Sequence, residues 1–171
     1  MKKIMLKVKP FQETLGAGMC GPASLKIVLN YFGVEKSEKE LAKLCGHNKI
    51  LGVDAKGIKK AAESLGFKVK VKNESNFKDI EKYLKKNIPV IVNWFTRGRK
   101  DYSDAETADG HYSVVCGLDS EFIYLQDPEI GKMRKIKRYD FMRVWFDFEG
   151  DYLKKDELIV RQLIAIQRVV K

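Results

Sequence analysis

Apolar positions along this chain change period near residue 66, and the change separates two kinds of structure. Before it they recur at helical spacing. Leu25, Val28, Leu29 and Phe32 fall at i, i+3, i+4 and i+7, so one face of a helix is apolar. Pro22 suits the first turn of that helix, where its missing N–H loses nothing, and Gly33 suits the position just past its end. Ser37 and Glu40 stand at capping-box spacing ahead of Leu41, Leu44 and Cys45, which predicts a short second helix. Asp54 predicts the cap of a third, carrying Ile58, Ala61, Ala62 and Leu65 and stopped at Gly66.

Beyond Gly66 the dominant period is two. Phe67, Val69 and Val71 alternate with Lys68, Lys70 and Lys72, the pattern of a half-exposed strand. Ile80, Tyr83 and Leu84 mark one more helix. Residues 88–95 form a continuous apolar run of strand length with Pro89 near its start, a buried strand. Further strands are predicted over 111–118, 122–126, 133–137 and 163–170, with turns at Asp119-Ser120 and Asp127-Pro128. Residues 4–8 predict a short opening strand, and Phe141, Val144 and Trp145 a short helix. Residues 96–109 are polar and read as a surface loop. It contains Arg97, Arg99, Lys100, Asp101, Tyr102 and Asp104, and a polar segment this long before a strand is expected to be functional or mobile. Helices first and mostly antiparallel strands later is an α+β order, and residues 1–171 read as one domain.

Composition narrows the classes. Hydrophobic content of 44% with 33% charged residues excludes a disordered chain. No apolar run reaches the roughly 20 residues of a membrane span. The N-terminal apolar stretch is broken by lysines, so no signal peptide is expected and the cytoplasm is the expected location. Cys20, Cys45 and Cys116 are odd in number and have neither disulfide pairing nor metal-ligand spacing, which predicts reduced thiols. No metal or other cofactor is expected. The net charge of +10 raises the question of an acidic partner, but the basic residues are spread along the chain among 23 acids. Nothing matches a nucleic-acid-binding motif, so the charge reads as a solvated surface and no nucleic-acid partner is expected.

The candidate chemistry lies at Cys20, at the start of the first predicted helix. Unpaired N–H groups and the positive end of the helix dipole favour a thiolate there. The bland alternative is a small buried apolar residue. Cysteine catalysis needs a histidine to exchange the proton and a third group to orient it. Of the two histidines, His47 stands in a polar Gly-His-Asn loop where a surface role is the default. His111 opens an apolar strand after a polar loop. If 111–118 and 122–127 form a hairpin turning at 119–121, residue numbers summing to about 240 lie opposite. Asp127 then faces Ser113, one diagonal from His111 on the same sheet face and within side-chain reach. A turn-opening role for Asp127-Pro128 is the alternative.

These residues resemble the papain-like cysteine peptidases of the C39 type, the double-glycine-leader peptidases and their stand-alone relatives. The pieces carrying the resemblance are collinear over nearly the whole chain. They are Gln12, Cys20-Gly21-Pro22-Ala23-Ser24-Leu25, Gly52-Val53-Asp54-Ala55-Lys56-Gly57-Ile58, Ile88-Pro89-Val90-Ile91-Val92, Gly110-His111-Tyr112-Ser113-Val114-Val115, Asp127-Pro128 and Tyr139-Asp140-Phe141 with Trp145. The resemblance implies a papain-like fold that hydrolyses a peptide bond in a peptide or protein substrate. It implies Cys20 as nucleophile, His111 as base and acid, Asp127 as orienter and Gln12 as oxyanion donor. Two features depart from the type: Met19 replaces the acid that often precedes the cysteine, and the loop from Gln12 to Cys20 is two residues longer. No transporter segment accompanies the motifs, so leader processing during export is not implied. A non-catalytic peptide-binding module of the same fold is the alternative from another class. Acyl or peptidyl transfer and deamidation use the same three residues and stay open at this level.

Overall fold

The structure, a computed structural model, describes residues 2–96, 109–148 and 157–169. The predicted loop over 96–109 lies, but for its two end residues, outside the described residues. The helical first third forms as its caps dictate. α1 (Cys20–Tyr31) ends where Gly33 takes a φ of 75°. α2 (Glu38–Cys45) starts at the Ser37–Glu40 capping box and closes on Gly46 in the left-handed region. α3 (Ala55–Ser64) is capped by Asp54, whose carboxylate accepts from the Gly57 N–H at 2.7 Å. Further on, Asn76 and Asp79 make a second capping box that starts α4 (Phe77–Leu84).

The strands form one antiparallel sheet in the order β2 (Phe67–Lys72), β9 (Leu163–Arg168), β3 (Val90–Thr96), β4 (Asp109–Leu118), β5 (Phe122–Asp127), β6 (Lys132–Lys137). A two-residue β1 (Ile4–Met5) pairs with the far end of β4, shorter than the sequence pattern predicts. A second ribbon pairs β7 (Phe146–Phe148) with β8 (Leu158–Val160), which the sequence pattern does not predict; three-residue strands are too short to show a period. α5 (Arg138–Val144) joins β6 to β7.

Central strands β3 and β4 are buried almost throughout, which is why their sequences read as runs rather than alternations. Pleating still gives each strand two faces. Trp94 pairs with His111 across β3 and β4, and Trp94 donates from Nε1 to Ser113 Oγ at 3.0 Å, so these three share a face. Phe77, Phe141 and Trp145 extend that face into an aromatic layer, with Trp94 and Phe141 ring centroids 5.9 Å apart. On the other face, Tyr112 packs toward the start of α1. A Cβ on Gly21 would meet the Val53 Cβ at 3.2 Å and the Tyr112 ring at 3.6 Å, so α1 lies close against Val53 and β4 here and a larger residue would press on Val53. The N-terminus of α1 is thus seated at the end of β4 that carries His111.

Candidate active site

Cys20 is the first residue of α1 and is half-buried. The helix starts without a side-chain cap: Met19 takes the cap position and makes no side-chain bond, and no acid occupies the first turn. First-turn N–H groups of an uncapped helix have no intrahelical acceptor, so they and the dipole form an electropositive mouth beside the Cys20 sulfur. Cys45 and Cys116 differ. Both are buried, and burial pushes their thiols up to about 12 and about 11.

His111 stands on β4 with 6% of its surface exposed, its ring edge-on to Trp94 at 6.1 Å between centroids. Its Nε2 lies 2.7 Å from Asp127 Oδ1. Asp127, the last residue of β5, is fully enclosed by the protein. The Glu129 N–H also donates to Oδ1 at 2.9 Å, and Arg134 Nε from β6 donates to Oδ2. The Arg134 guanidinium in turn lies 6.0 Å over the Trp94 ring. Burial alone would raise the Asp127 pKa, but His111 and Arg134 outweigh it and hold the carboxyl below the usual carboxylate range. Burial alone would likewise depress His111. The hydrogen bonds to Asp127 and Cys20, with the negative charge on both, reverse that and raise its pKa well above 6.5. An imidazole has two nitrogens. With Nε2 given to Asp127, Nδ1 is the one that meets Cys20.

Sequence reasoning did not single out Glu13, yet it completes this site. A Glu13 carboxylate oxygen, the Cys20 sulfur and a His111 ring nitrogen all lie within 4.8 Å of one another. Such a group has the spacing to share a metal ion, and equally that of a nucleophile, its base and a third polar group. The Glu13 backbone N–H donates to the Pro128 carbonyl at 2.9 Å, fastening it beside Asp127. Its Oε2 is buried without a hydrogen-bond partner among the described residues. Burial, against the opposing pull of His111, raises its pKa to about 7.

Gln12 occupies a different place. Its side chain is exposed, its amide donates to the Glu129 carbonyl at 3.3 Å, and it lies over Gly131, where a Cβ would collide with it. The lengthened loop explains the exchange of neighbours. Gly16 and Gly18 take positive φ, and the loop is fastened outward. Thr14 bonds the Glu38 carboxylate through its N–H and hydroxyl at 3.1 and 2.6 Å, and His47 Nε2 meets the Ala17 carbonyl at 2.7 Å. His47 therefore anchors the approach to Cys20, a more specific role than the surface default. Adjacent residues of an extended chain point opposite ways, so with Gln12 turned outward Glu13 faces Cys20.

A cavity of about 690 Å³ opens beside the same end of β4. Asn93, Gly110, Tyr112, Val53, Leu51 and Phe148 are among its lining. Gly110 and Tyr112 flank His111 along β4 and so belong to the sheet face opposite its imidazole, and the described lining includes neither Cys20 nor His111. No helix among the described residues is long and apolar enough to cross a membrane.

Comparison with known proteins places the fold. Over 140 residues the chain is 32% identical to the lactococcin transport/processing ATP-binding protein LcnC-like of Lactococcus lactis, covering 81% of this chain and 18% of that protein. Over 135 residues it is 35% identical to an uncharacterized protein of Methanothermobacter thermautotrophicus, covering 78% and 79% of the two chains. The peptidase domain of Streptococcus ComA superposes with a TM-score of 0.71 at 23% identity, covering 95% of this chain and 99% of that one. A double glycine motif protease from an AMS/PCAT transporter, solved with its leader peptide, gives 0.64 at 21% identity over 99% and 100% of the two chains. The Carica candamarcensis cysteine protease CMS1MS2 gives 0.62 at 12% identity over 98% and 99%, which makes the fold papain-like. A family model matches residues 5–153, and the chain belongs to the Peptidase_C39 like family.

Proposed function

We propose that the protein is a cysteine peptidase in which Cys20 is the nucleophile, His111 the general base and acid, and Asp127 the orienting carboxylate. One observation carries the reading: thiol, imidazole and buried carboxylate stand in line where the α1 start meets the ends of β4 and β5. The Cys20 thiolate attacks the scissile carbonyl carbon, a C–S bond forms, and the carbonyl electron pair moves to oxygen. His111 gives its Nδ1 proton to the leaving amine as the C–N bond breaks. Water then attacks the thioester while His111 takes its proton, and the thiolate departs. Asp127 fixes the ring by holding Nε2–H throughout.

The substrate class is a peptide segment. The Lactococcus relative is named for processing, and the AMS/PCAT neighbour was solved with a leader peptide, which supports a peptide as ligand. The three unpaired cysteines suit a reducing compartment such as the cytoplasm. Incubation of cellular peptides with the wild type and with Cys20→Ala, followed by mass spectrometry, tests the assignment. New peptide ends that need Cys20 are expected. Cys20-dependent mass changes without new ends would replace hydrolysis by transfer or deamidation, and identical peptide sets would leave a binding module.

A further inference from the structure

A tetrahedral intermediate on Cys20 needs two donors aimed at its oxygen. The uncapped start of α1 supplies backbone N–H groups. A side chain within reach of the same point is the usual second donor. Gln12 spends its amide on the Glu129 carbonyl and is exposed. Glu13 is the polar side chain that the fold holds against both the sulfur and the imidazole.

Resting on the peptidase reading, we propose that the Glu13 carboxyl, in its protonated form, is the second oxyanion donor and a catalytic residue of this protein. An oxyanion bound to the Cys20-linked carbon lies next to the sulfur, and a donor needs to come within about 2.7–3.1 Å of it. A carboxyl oxygen within 4.8 Å of Sγ is placed for that. Oε2 is buried with no partner among the described residues, so a hydrogen on the carboxyl is not already given to the protein.

The charges around Glu13 decide its protonation. Glu129 in the turn after β5, Asp127 on β5 and Glu38 on α2 all oppose a further negative charge. His111 on β4 alone favours the carboxylate. Burial outweighs that single attraction, and the carboxyl keeps its proton to about pH 7. An ionised Glu13 would repel the oxyanion and could donate nothing. A glutamine at the same place would be a donor at every pH, so the acid makes turnover depend on pH where an amide would not.

The test compares wild type, Glu13→Gln and Glu13→Ala on a fluorogenic peptide with Gly-Gly before the cleaved amide, from pH 5 to 9. A peptide aldehyde ending in glycinal, which forms a tetrahedral adduct on the thiol, is titrated alongside. Wild-type kcat is expected to fall as pH rises through about 7. Glu13→Gln is expected to turn over at pH 6 well above Glu13→Ala and to lose that fall. Glu13→Ala is expected to lower kcat at pH 6 by roughly 10²–10³ with little change in KM, and to weaken the aldehyde in parallel. Wild-type kcat and aldehyde affinity in Glu13→Ala would overturn the assignment, as would a 10²–10³ loss from Gln12→Ala with none from Glu13→Ala. A wild type that binds no aldehyde and turns over nothing removes the peptidase reading itself and the donor role with it.

Discussion

His111 and Asp127 are diagonal neighbours across β4 and β5, and the diagonal closes to 2.7 Å between Nε2 and Oδ1. Val114 pairs with Gln126, so in continuation Ser113 faces Asp127 and His111 lies two residues further along the same face. The pair depends on register: a one-residue slip would put the two side chains on opposite faces. A bulge between Val115 and Gly117 shifts the register only at the far end of β4, away from the site. Arg134 and the Glu129 N–H also donate to the carboxylate, so Asp127 is held against rotation from three sides.

Asp127→Asn is therefore expected to lower kcat by roughly 10²–10⁴, less than Cys20→Ala or His111→Ala, because orientation supports the chemistry without performing it. Asp127 also helps raise the His111 pKa. The ring in the variant should titrate at lower pH when followed by NMR. An unchanged imidazole titration, or full activity in Asp127→Asn, would disprove the orienting role.

Thiol labelling separates Cys20 from the other two cysteines. Thiols raised to about 12 and about 11 leave Cys45 and Cys116 almost wholly protonated at pH 7, and both are enclosed. Cys20 is half-exposed at a helix start beside an imidazolium. Iodoacetamide at pH 6–7 should modify Cys20 well before the others, read by peptide mass spectrometry. His111→Ala should slow that reaction near neutral pH, where the imidazolium no longer favours the thiolate. Similar rates at all three thiols of the folded protein would count against a reactive Cys20.

Much of the site was legible because short-range rules govern it. Pro22 and the apolar face of α1 placed Cys20 at a helix start, and the 111–127 hairpin spacing placed Asp127 on the face of His111. Ser37, Asp54 and Gly66 bounded their helices as caps do. Glu13 was hidden for a physical reason. A glutamate reads as an ionised surface residue, and only burial against three other carboxylates makes it a donor. That burial comes from contacts far apart in sequence: Pro128 to Glu13, Glu38 to Thr14, Ala17 to His47. The support of Asp127 by Arg134 was equally invisible, since it depends on the pairing of β6 with β5. β7 and β8 pair across residues 149–157 through strands too short for a period to be read.

The raised pKa of Glu13 predicts a pH dependence of stability that needs no substrate. Between pH 4.5 and about 7 the folded chain keeps a proton on Glu13 that the unfolded chain has released. Stability from this group is thus fully present below pH 4.5 and is lost as pH rises to about 7. Glu13→Gln has no such proton. Its Tm relative to wild type should climb from pH 4.5 to pH 7 and level off above, measured by thermal melts at fixed ionic strength. A difference that stays flat across that window would mean Glu13 titrates as an ordinary surface acid.

Gly57 offers the last test, and there two opposing effects can be weighed. Gly57 lies in the first turn of α3, and a Cβ added there would overlap the Cys45 carbonyl oxygen at the end of α2 and meet Val53 Cγ1 at 3.0 Å. Alanine is better than glycine inside a helix by about 1 kcal/mol, so Gly57→Ala would stabilise an isolated α3. Overpacking against a neighbour that cannot rotate away costs roughly 1–3 kcal/mol. The obstacle is backbone at the end of a helix closed by a left-handed Gly46, so the second effect should win. A Tm lower by roughly 2–8 °C is expected for a chain of this size. Function should suffer with it. Moving α3 displaces Val53, which lies against Gly21 one residue from Cys20, so kcat should fall even where the variant is fully folded. A Gly57→Ala protein with a raised Tm and unchanged kcat would show that α2 and α3 separate freely and that their spacing does not position the nucleophile.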